Sequence, residues 1–522
     1  MLLLCFLFLG VYVFWFSGWD ELLGCFSVLG YDSYGGFEFM IDLVGVGCFF
    51  MLFCCGSVAL VYCFHYFMGS FSSVLLFPLM VWFLGTMGVL VFSSSLLFSL
   101  IFWEYLGLVS FFLILFYANM SSLRASLVTL FASRFGDVSV FGMLMWVSWW
   151  ADVSGLVFVL FYLLVVMTKS ACFPFISWLL EAMRAPTPVS SLVHSSTLVA
   201  AGVWFFLRYG CLSSVWVDFF LVFFCFLTII VTAVCSIVFM DLKKIVALST
   251  CNNVSWCIVF FVCGDLCLAL LQLITHGLCK CYLFMSVGDL MSQSGSSQSS
   301  VGVYLGRYSG RFLPLVQGFL VLSLCGLPFL GVFFSKHSLF SLLLYGGGFG
   351  LVLVCFLSLF LSYVYSVRFA LLLLGSVGGL SFGVSSLFLV VCPLVFCGGV
   401  LNYLGDLVSA EVVGISWWGS LAVLGVQCFG CLFGWLLYWC WMGEGYWSSM
   451  LWGGEGYVSL VYSWFGFISE ICLVSFYRWE VYLLESFFGL GVWRWLLFRG
   501  SFFSISFVVL GLVCVLLVSY VL

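Results

Sequence analysis

Lysine is nearly missing from this chain. Its 522 residues hold five, Lys169, Lys243, Lys244, Lys280 and Lys336, each in or beside a long apolar stretch. Histidine (4) and proline (7) are almost as rare, and charged residues together make up 7%. A soluble domain averages about 25% charged residues, so this composition excludes a water-soluble globule. The ten arginines are too thinly spread for a nucleic-acid footprint, which sets that class aside. Patterns for redox cofactors and metals are missing too. No GxGxxG follows a strand, no four-cysteine cluster spacing occurs, and four histidines are too few for paired haem ligands. If the chain works in a redox machine, electrons are expected to run elsewhere.

What remains is apolar: 65% of the residues are hydrophobic. A spanning helix needs about 20 mostly apolar residues, which allows roughly 14–16 spans. Separable stretches lie near 1–16, 40–63, 71–92, 94–117, 125–150, 155–180, 189–208, 216–240, 245–262, 264–288, 311–334, 338–372, 377–400, 418–442 and 501–522. They are continuously apolar rather than alternating, so helices are expected and not a barrel. The first 16 residues lack a positive leader and an A-x-A-like cleavage site, and are read as a retained span. The 25 cysteines are scattered among Leu and Phe and read as small apolar residues. Phe (63), Gly (54), Cys and Trp (22) share codons built from T and G, while Pro, His and Lys do not. This bias points to an organellar genome, and it makes each lysine and histidine more telling.

A lysine inside a bilayer costs about 2.5–3.5 kcal/mol on insertion scales, so it marks an ion path or a paired partner. Pro174 follows Lys169 by five residues, and Pro328 precedes Lys336 by eight. Apolar segments interrupted at corresponding places in two halves indicate a transporter built from inverted repeats. Other polar groups join the lysines. Glu104 is a lone carboxylate in an apolar span and is the expected partner of Lys169. Arg134 and Asp137 share a helix face, either as a self-contained ion pair in lipid or as working charges. Glu181 and His194 flank Pro186-Thr187-Pro188, and the histidine is suited to relaying protons. Asp241, Lys243 and Lys244 open the next span, where Lys244 is the stronger candidate and snorkelling is the alternative. Gln272, His276 and Lys280 line up on one helix face and should meet a hydrated interior. Lys336 and His337 close the series. Residues 292–311 read as an extramembrane loop, and 443–500, rich in Trp and charges, as an interfacial segment before a final anchor.

The runs WEYLGLVSFFLI, ASRFGD, KSACFPFISWLLEAMRAPTPVSSLVHSSTLVAAG, DLKKIVALST, THGLCKCYLFMSVGDLM and LCGLPFLGVFFSKHSLF occur in the order of the NADH dehydrogenase subunit 5 family. The resemblance covers roughly residues 36–370. It implies an all-α polytopic membrane protein with two inverted five-helix antiporter-like repeats, broken helices, a C-terminal lateral segment and a terminal anchor helix. The implied divisions are N-terminal helices (1–93), two half-channels (94–262 and 263–400), further helices (401–456), a lateral helix (457–500) and the anchor (501–522). It also implies proton translocation within respiratory complex I of the mitochondrial inner membrane, carried by Glu104, Lys169, His194, Lys244, His276, Lys280 and Lys336. Arg134, Asp137 and Glu181 match further charged positions of the family, Lys243 is the alternative to Lys244, and Asp241, Gln272 and His337 are expected from their placement as further supporting groups. NADH, FMN, iron–sulfur clusters and ubiquinone would sit in other subunits, with antiporter-like subunit 4 as neighbour and lipids such as cardiolipin around. The alternative is an Mrp-type cation/proton antiporter subunit, and a third class is a spacer that has lost pumping. Three departures stand out: Gln272 replaces a histidine, His337 replaces an acidic residue, and the lateral segment is short, reaching only ~60 Å if fully helical.

Overall fold

A computed structural model describes residues 39–376 with short gaps at 68–69, 151–154, 264–265, 296, 301, 304–311, 329 and 347. It also describes 398–403 except 401, and 417–439 and 452–488. The expected spans at 1–16 and 501–522, and most of the one at 377–400, lie outside the described residues.

Among the described residues every long regular element is a helix, and extended pairing is limited to the isolated bridges Phe39–Ser93 and Asp241–Ser299. Among the described residues ten helical passages are long and apolar enough to cross a bilayer. The first four are α1 (Leu43–Tyr66), α2 (Phe71–Phe92), α3 (Leu96–Leu115) and α4 (Met120–Trp150). A broken passage of two shorter helices follows, α5 (Leu156–Lys169) and α6 (Ser177–Ala182), and is not one of the ten. Next come α7 (Thr187–Leu192) and α8 (Leu198–Arg208), joined by a π-helical turn at Val193–Thr197. Then follow α9 (Val215–Val238), α10 (Leu242–Val262) and α11 (Leu266–Gln293). A second broken passage comprises α12 (Phe312–Cys325) and α13 (Phe333–Gly346), followed by α14 (Phe349–Leu374) and α15 (Trp417–Trp439). Finally, α16 (Trp452–Phe488) is one continuous helix of 37 residues. That is ~56 Å at 1.5 Å per residue, and its described side chains from 463 to 479 are nearly all exposed.

One boundary differs from the sequence reading. The stretches 311–334 and 338–372 divide not at Lys336 but after Gly346, with Gly348 capping the start of α14. Glycine ends helices readily, and Gly346-Gly347-Gly348 sat inside a stretch read as continuous. The real interruption at 326–332 is made by Pro328 between Gly326 (φ 90°) and Gly331 (φ 48°), both in the left-handed region.

Within lipid, helices gain little from the hydrophobic effect on meeting one another, so small residues that permit close packing hold bundles together. Gly202 of α8 shows this where it meets the end of α5. A Cβ there would lie 2.7 Å from Ser170 N and 3.0 Å from Val166 O, both backbone atoms that cannot step aside. Gly202→Ala is therefore expected to destabilise the bundle by about 1–3 kcal/mol. Gly85→Ala, at a position with no atom within 4 Å of the added carbon, should not. Thermal unfolding in detergent separates the two.

Candidate functional site

Breaking a helix inside a membrane frees backbone carbonyls that must find donors in protein or water. Both breaks are answered by side chains. After α5 the Trp178 indole donates to Thr168 O at 3.0 Å. After α12 the Lys336 ammonium donates to Cys325 O at 2.8 Å, and the Tyr363 hydroxyl donates to Gly326 O. An ammonium at the carbonyl end of a half-helix is also favoured by the helix dipole. Lys336 is 4% exposed and its Nζ lies 5.8 Å from the Trp256 ring centre.

Lys169, the last residue of α5, is 1% exposed. Its carboxylate partner corrects the sequence reading. Asp137 Oδ1 lies 3.6 Å from Lys169 Nζ, whereas Glu104 meets Arg134 at 3.5 Å. Arg134 also reaches Asp137 at 3.5 Å, so Glu104, Arg134, Asp137 and Lys169 form one chain of alternating charge. Glu104 is half exposed and sits at its outer end, while Asp137 is buried. Arg134 and Asp137 are thus not a self-contained pair. The Lys169 ammonium also approaches Trp103 O at 3.5 Å and its ring at 5.1 Å.

The paired lysines of α10 are the second correction. Lys243, not Lys244, is buried, at 6% exposure, and it donates to Ala185 O at 3.3 Å. Lys244 is 39% exposed on its side chain and pairs with Asp241 at 3.0 Å, as a residue at a helix end does. Neighbouring helix positions differ by about 100°, so one faces inward and the other outward. Lys243 interacts electrostatically with His194, which is fully buried in the π-helical turn. The Thr197 hydroxyl donates to Leu192 O at 2.9 Å, and Ser195 donates to Ser191 O. Such side-chain competition for carbonyls loosens the normal ladder. π turns recur at functional sites.

On α11, Lys280 (2% exposed) donates to Val246 O at 3.4 Å and to the Ser249 hydroxyl. His276, one turn earlier, is fully buried, and neither ring nitrogen has a hydrogen-bond partner among the described residues. Gln272 is fully buried as well, and its Oε1 accepts from the Ser335 hydroxyl at 2.8 Å. Asn402 Nδ2 donates to that hydroxyl at 3.3 Å, and Asn402 Oδ1 accepts from Ser335 N at 3.2 Å. The stripe on α11 therefore faces protein rather than lipid. His337 is only partly buried and stacks on Phe333 at 5.5 Å. Glu181 pairs with Arg184 at 3.0 Å, towards the surface.

Two small cavities adjoin this series. One lies against Lys169 among Ser110, Thr129, Ser133, Thr168 and Trp178. The other lies against Lys280 among Ser249, Asn253 and Tyr365. Each offers ≈ 10 Å³ to the centre of a water-sized sphere, room for about one molecule.

The sequence reading missed several polar groups. Asp289 of α11 is buried and meets His65 of α1 at 3.4 Å. Arg368 of α14 is 5% exposed and donates to Ser236 O and Phe239 O at 3.3 and 3.4 Å, at the carbonyl end of α9. Both are charges within apolar helices, the same signal that picked out the lysines. Ser335 and Asn402 carried no such signal.

The charge chain yields a test. Removing one partner of a buried pair leaves an uncompensated charge and costs about 3–5 kcal/mol, whereas an exposed pair contributes about 0–1 kcal/mol. Asp137→Asn should therefore lower the unfolding temperature strongly and Glu104→Gln barely. Equal effects from both would refute the order of the chain.

The family described as NADH:quinone oxidoreductase/Mrp antiporter, TM, matches residues 93–362, which hold every lysine and every broken helix. Proteins named NADH-ubiquinone oxidoreductase chain 5 are similar over long stretches. The earthworm Lumbricus terrestris protein is 36% identical over 284 residues, 51% of this chain and 48% of its own length. That of Locusta migratoria is 33% identical over 396 residues (68% and 66%), and that of Ascaris suum 31% over 442 (80% and 73%). The matched part thus spans about half the length of the earthworm relative. Among solved structures, the Mrp complex of Dietzia superposes with a TM-score of 0.69 at 21% identity, over 92% of this chain and 58% of that one. The archaeal membrane-bound sulfane sulfur reductase follows at 0.65 and 16%, over 82% and 92%. These two show the fold. With the family matched over more than half of its residues, the chain belongs to the NADH-ubiquinone oxidoreductase chain 5 family of antiporter-like membrane proteins.

Proposed function

We propose that the chain is a proton-translocating membrane-arm subunit of NADH:ubiquinone oxidoreductase, working in the mitochondrial inner membrane beside the antiporter-like subunit 4. NADH oxidation, flavin and iron–sulfur chemistry and ubiquinone reduction belong to other subunits, and α16 is the lateral helix. The observation that carries this reading is the burial of four ammonium groups, Lys169, Lys243, Lys280 and Lys336, none more than 6% exposed. Charges so placed are costly, and such residues mark proton relays in membrane proteins.

The geometry gives each group a task. Lys169 and Arg134 supply two positive charges, and Asp137 and Glu104 two negative ones, so the cluster balances when all are ionised. If Lys169 gives up its proton, Asp137 is left with Arg134 alone. Re-pairing within the cluster thus couples the position of Arg134 to the charge on Lys169. His194 beside Lys243 can accept and release a proton at either ring nitrogen. His276 does the same beside Lys280. Lys336, bound to a carbonyl, ends the series.

Replacing Lys169 or Lys280 with Ala should lower proton translocation about tenfold, the equivalent of 1.4 kcal/mol on a barrier. The complex should stay assembled, and electron transfer should persist when uncoupled. Proton uptake by liposomes holding the purified complex, driven by NADH and quinone, measures this. Normal pumping by both variants would refute the reading. Cation/proton exchange by the chain purified alone would assign it to the stand-alone antiporters instead.

A further inference from the structure

The reading above leaves open how a proton reaches Lys169 through a dry bundle. Helix α4 carries a line of hydroxyls that the lysine series does not use, Ser122, Ser126, Thr129 and Ser133, and the line ends at Asp137, the partner of Lys169. Their spacing of three and four keeps them within a strip about 80° wide on one face. All are buried, at 7% exposure or less, while Leu123, Phe131 and Val138 on the same helix are exposed. The line starts beside the α3–α4 turn, where Asn119 N donates to the Ser122 hydroxyl at 2.9 Å.

Each hydroxyl donates to a carbonyl one turn back: Ser122 to Asn119, Ser126 to Leu123, Thr129 to Ser126 and Ser133 to Leu130, all at 2.7–2.8 Å. The hydrogen is thereby committed, and oxygen lone pairs remain to accept. Successive hydroxyls are about 4.5–6 Å apart along the axis, too far for a direct bond. One interposed water, making two hydrogen bonds of about 2.8 Å, fits that step.

Three observations bear on this face. The cavity against Lys169 has room for about one water and is lined by Thr129 and Ser133, with Ser110 opposite. The Asp137 carboxylate, next in the line, is 2% exposed, and its oxygens stand 3.5 and 3.6 Å from the Arg134 and Lys169 nitrogens, looser than close hydrogen bonds. At the outer end Arg184 donates to Ser121 O at 3.3 Å and pairs with Glu181, which puts a partly exposed carboxylate at the mouth.

We propose that the buried hydroxyl face of α4 is a hydrated track that carries protons between the surface at Glu181 and the Asp137–Lys169 pair. The inference rests on the proton-translocating reading. Thr129 and Ser126 are positioning residues that hold waters, and Glu181 collects protons at the mouth.

The test uses the intact complex in liposomes. Thr129→Val keeps the shape and removes the hydroxyl. It should slow proton translocation about tenfold, the equivalent of 1.4 kcal/mol, with uncoupled electron transfer unchanged. Thr129→Ser should restore translocation. Ser139→Ala removes a buried hydroxyl of the same helix beyond Asp137 and should have no effect. Ser126→Ala provides the same readout should Thr129→Val fail to assemble. Wild-type translocation in the Ser126→Ala/Thr129→Val double variant, together with loss in Lys169→Ala, would overturn the track and leave the proton-translocating function standing. Wild-type translocation in both Lys169→Ala and Lys280→Ala would overturn the track and the function together.

Discussion

The structure depends on one electrostatic constraint: an ammonium group removed from water must find oxygen. All four buried lysines meet it with a backbone carbonyl, those of Trp103, Ala185, Val246 and Cys325. Among the described residues only Lys169 has a carboxylate partner as well. A carboxylate favours the charged form through Coulomb attraction, whereas a carbonyl accepts a hydrogen bond from either form. Lys243, Lys280 and Lys336 are thus held in place by contacts that outlast the loss of a proton. Lys169, the one tied to a chain of charges, is the group whose state other residues can set.

The helix breaks follow from the same constraint. A continuous helix offers its carbonyls to its own amides and has few to spare. Pro174 and Pro328 interrupt that ladder near the lysines, and the freed oxygens are taken up by Trp178, Lys336 and Tyr363. The π turn at His194 is a milder form of the same device, made by hydroxyls that compete for carbonyls of the preceding turn. Backbone irregularity in lipid is tolerated where protein or a cavity covers it, and the π turn is fully buried while the described residues at the two breaks are buried or half-buried.

Much of this was legible in the sequence, because a membrane makes charge conspicuous. The lysines, the breaks and the polar stripe on α11 could each be read from their apolar surroundings. Pairing across helices could not. Asp137 sits three residues from Arg134, and spacing alone suggested that the two complete each other. Their coupling to Lys169 and Glu104 depends on how α3, α4 and α5 pack. The preference for Lys244 over Lys243 likewise had nothing in the pattern to support it, since almost all of α10 is buried and no apolar face marks its inside. Ser335 and Asn402 are too common among polar residues of apolar helices to attract notice. The α4 hydroxyls went unread for the same reason, although their spacing was in plain view.

The second half handles the constraint differently from the first. Where the first half has a chain of charges, the second has neutral amides and hydroxyls: Gln272, Ser335 and Asn402. Ser335 precedes Lys336 directly, so this triad fixes the register of α13 against α11 and with it the position of the Lys336 ammonium. Gln272 Nε2 has no partner among the described residues, and His276 lies one turn along the same helix. A buried donor and a buried imidazole facing the same strip each need a partner, and a water between them would serve both. On this view glutamine in place of histidine keeps a connected path while removing one titratable stop. The proton in transit would then rest on His276 and Lys280 and pass the glutamine through water. That arrangement needs no acidic residue beside Lys336, which accounts physically for His337 being turned partly outward against Phe333 rather than into the series.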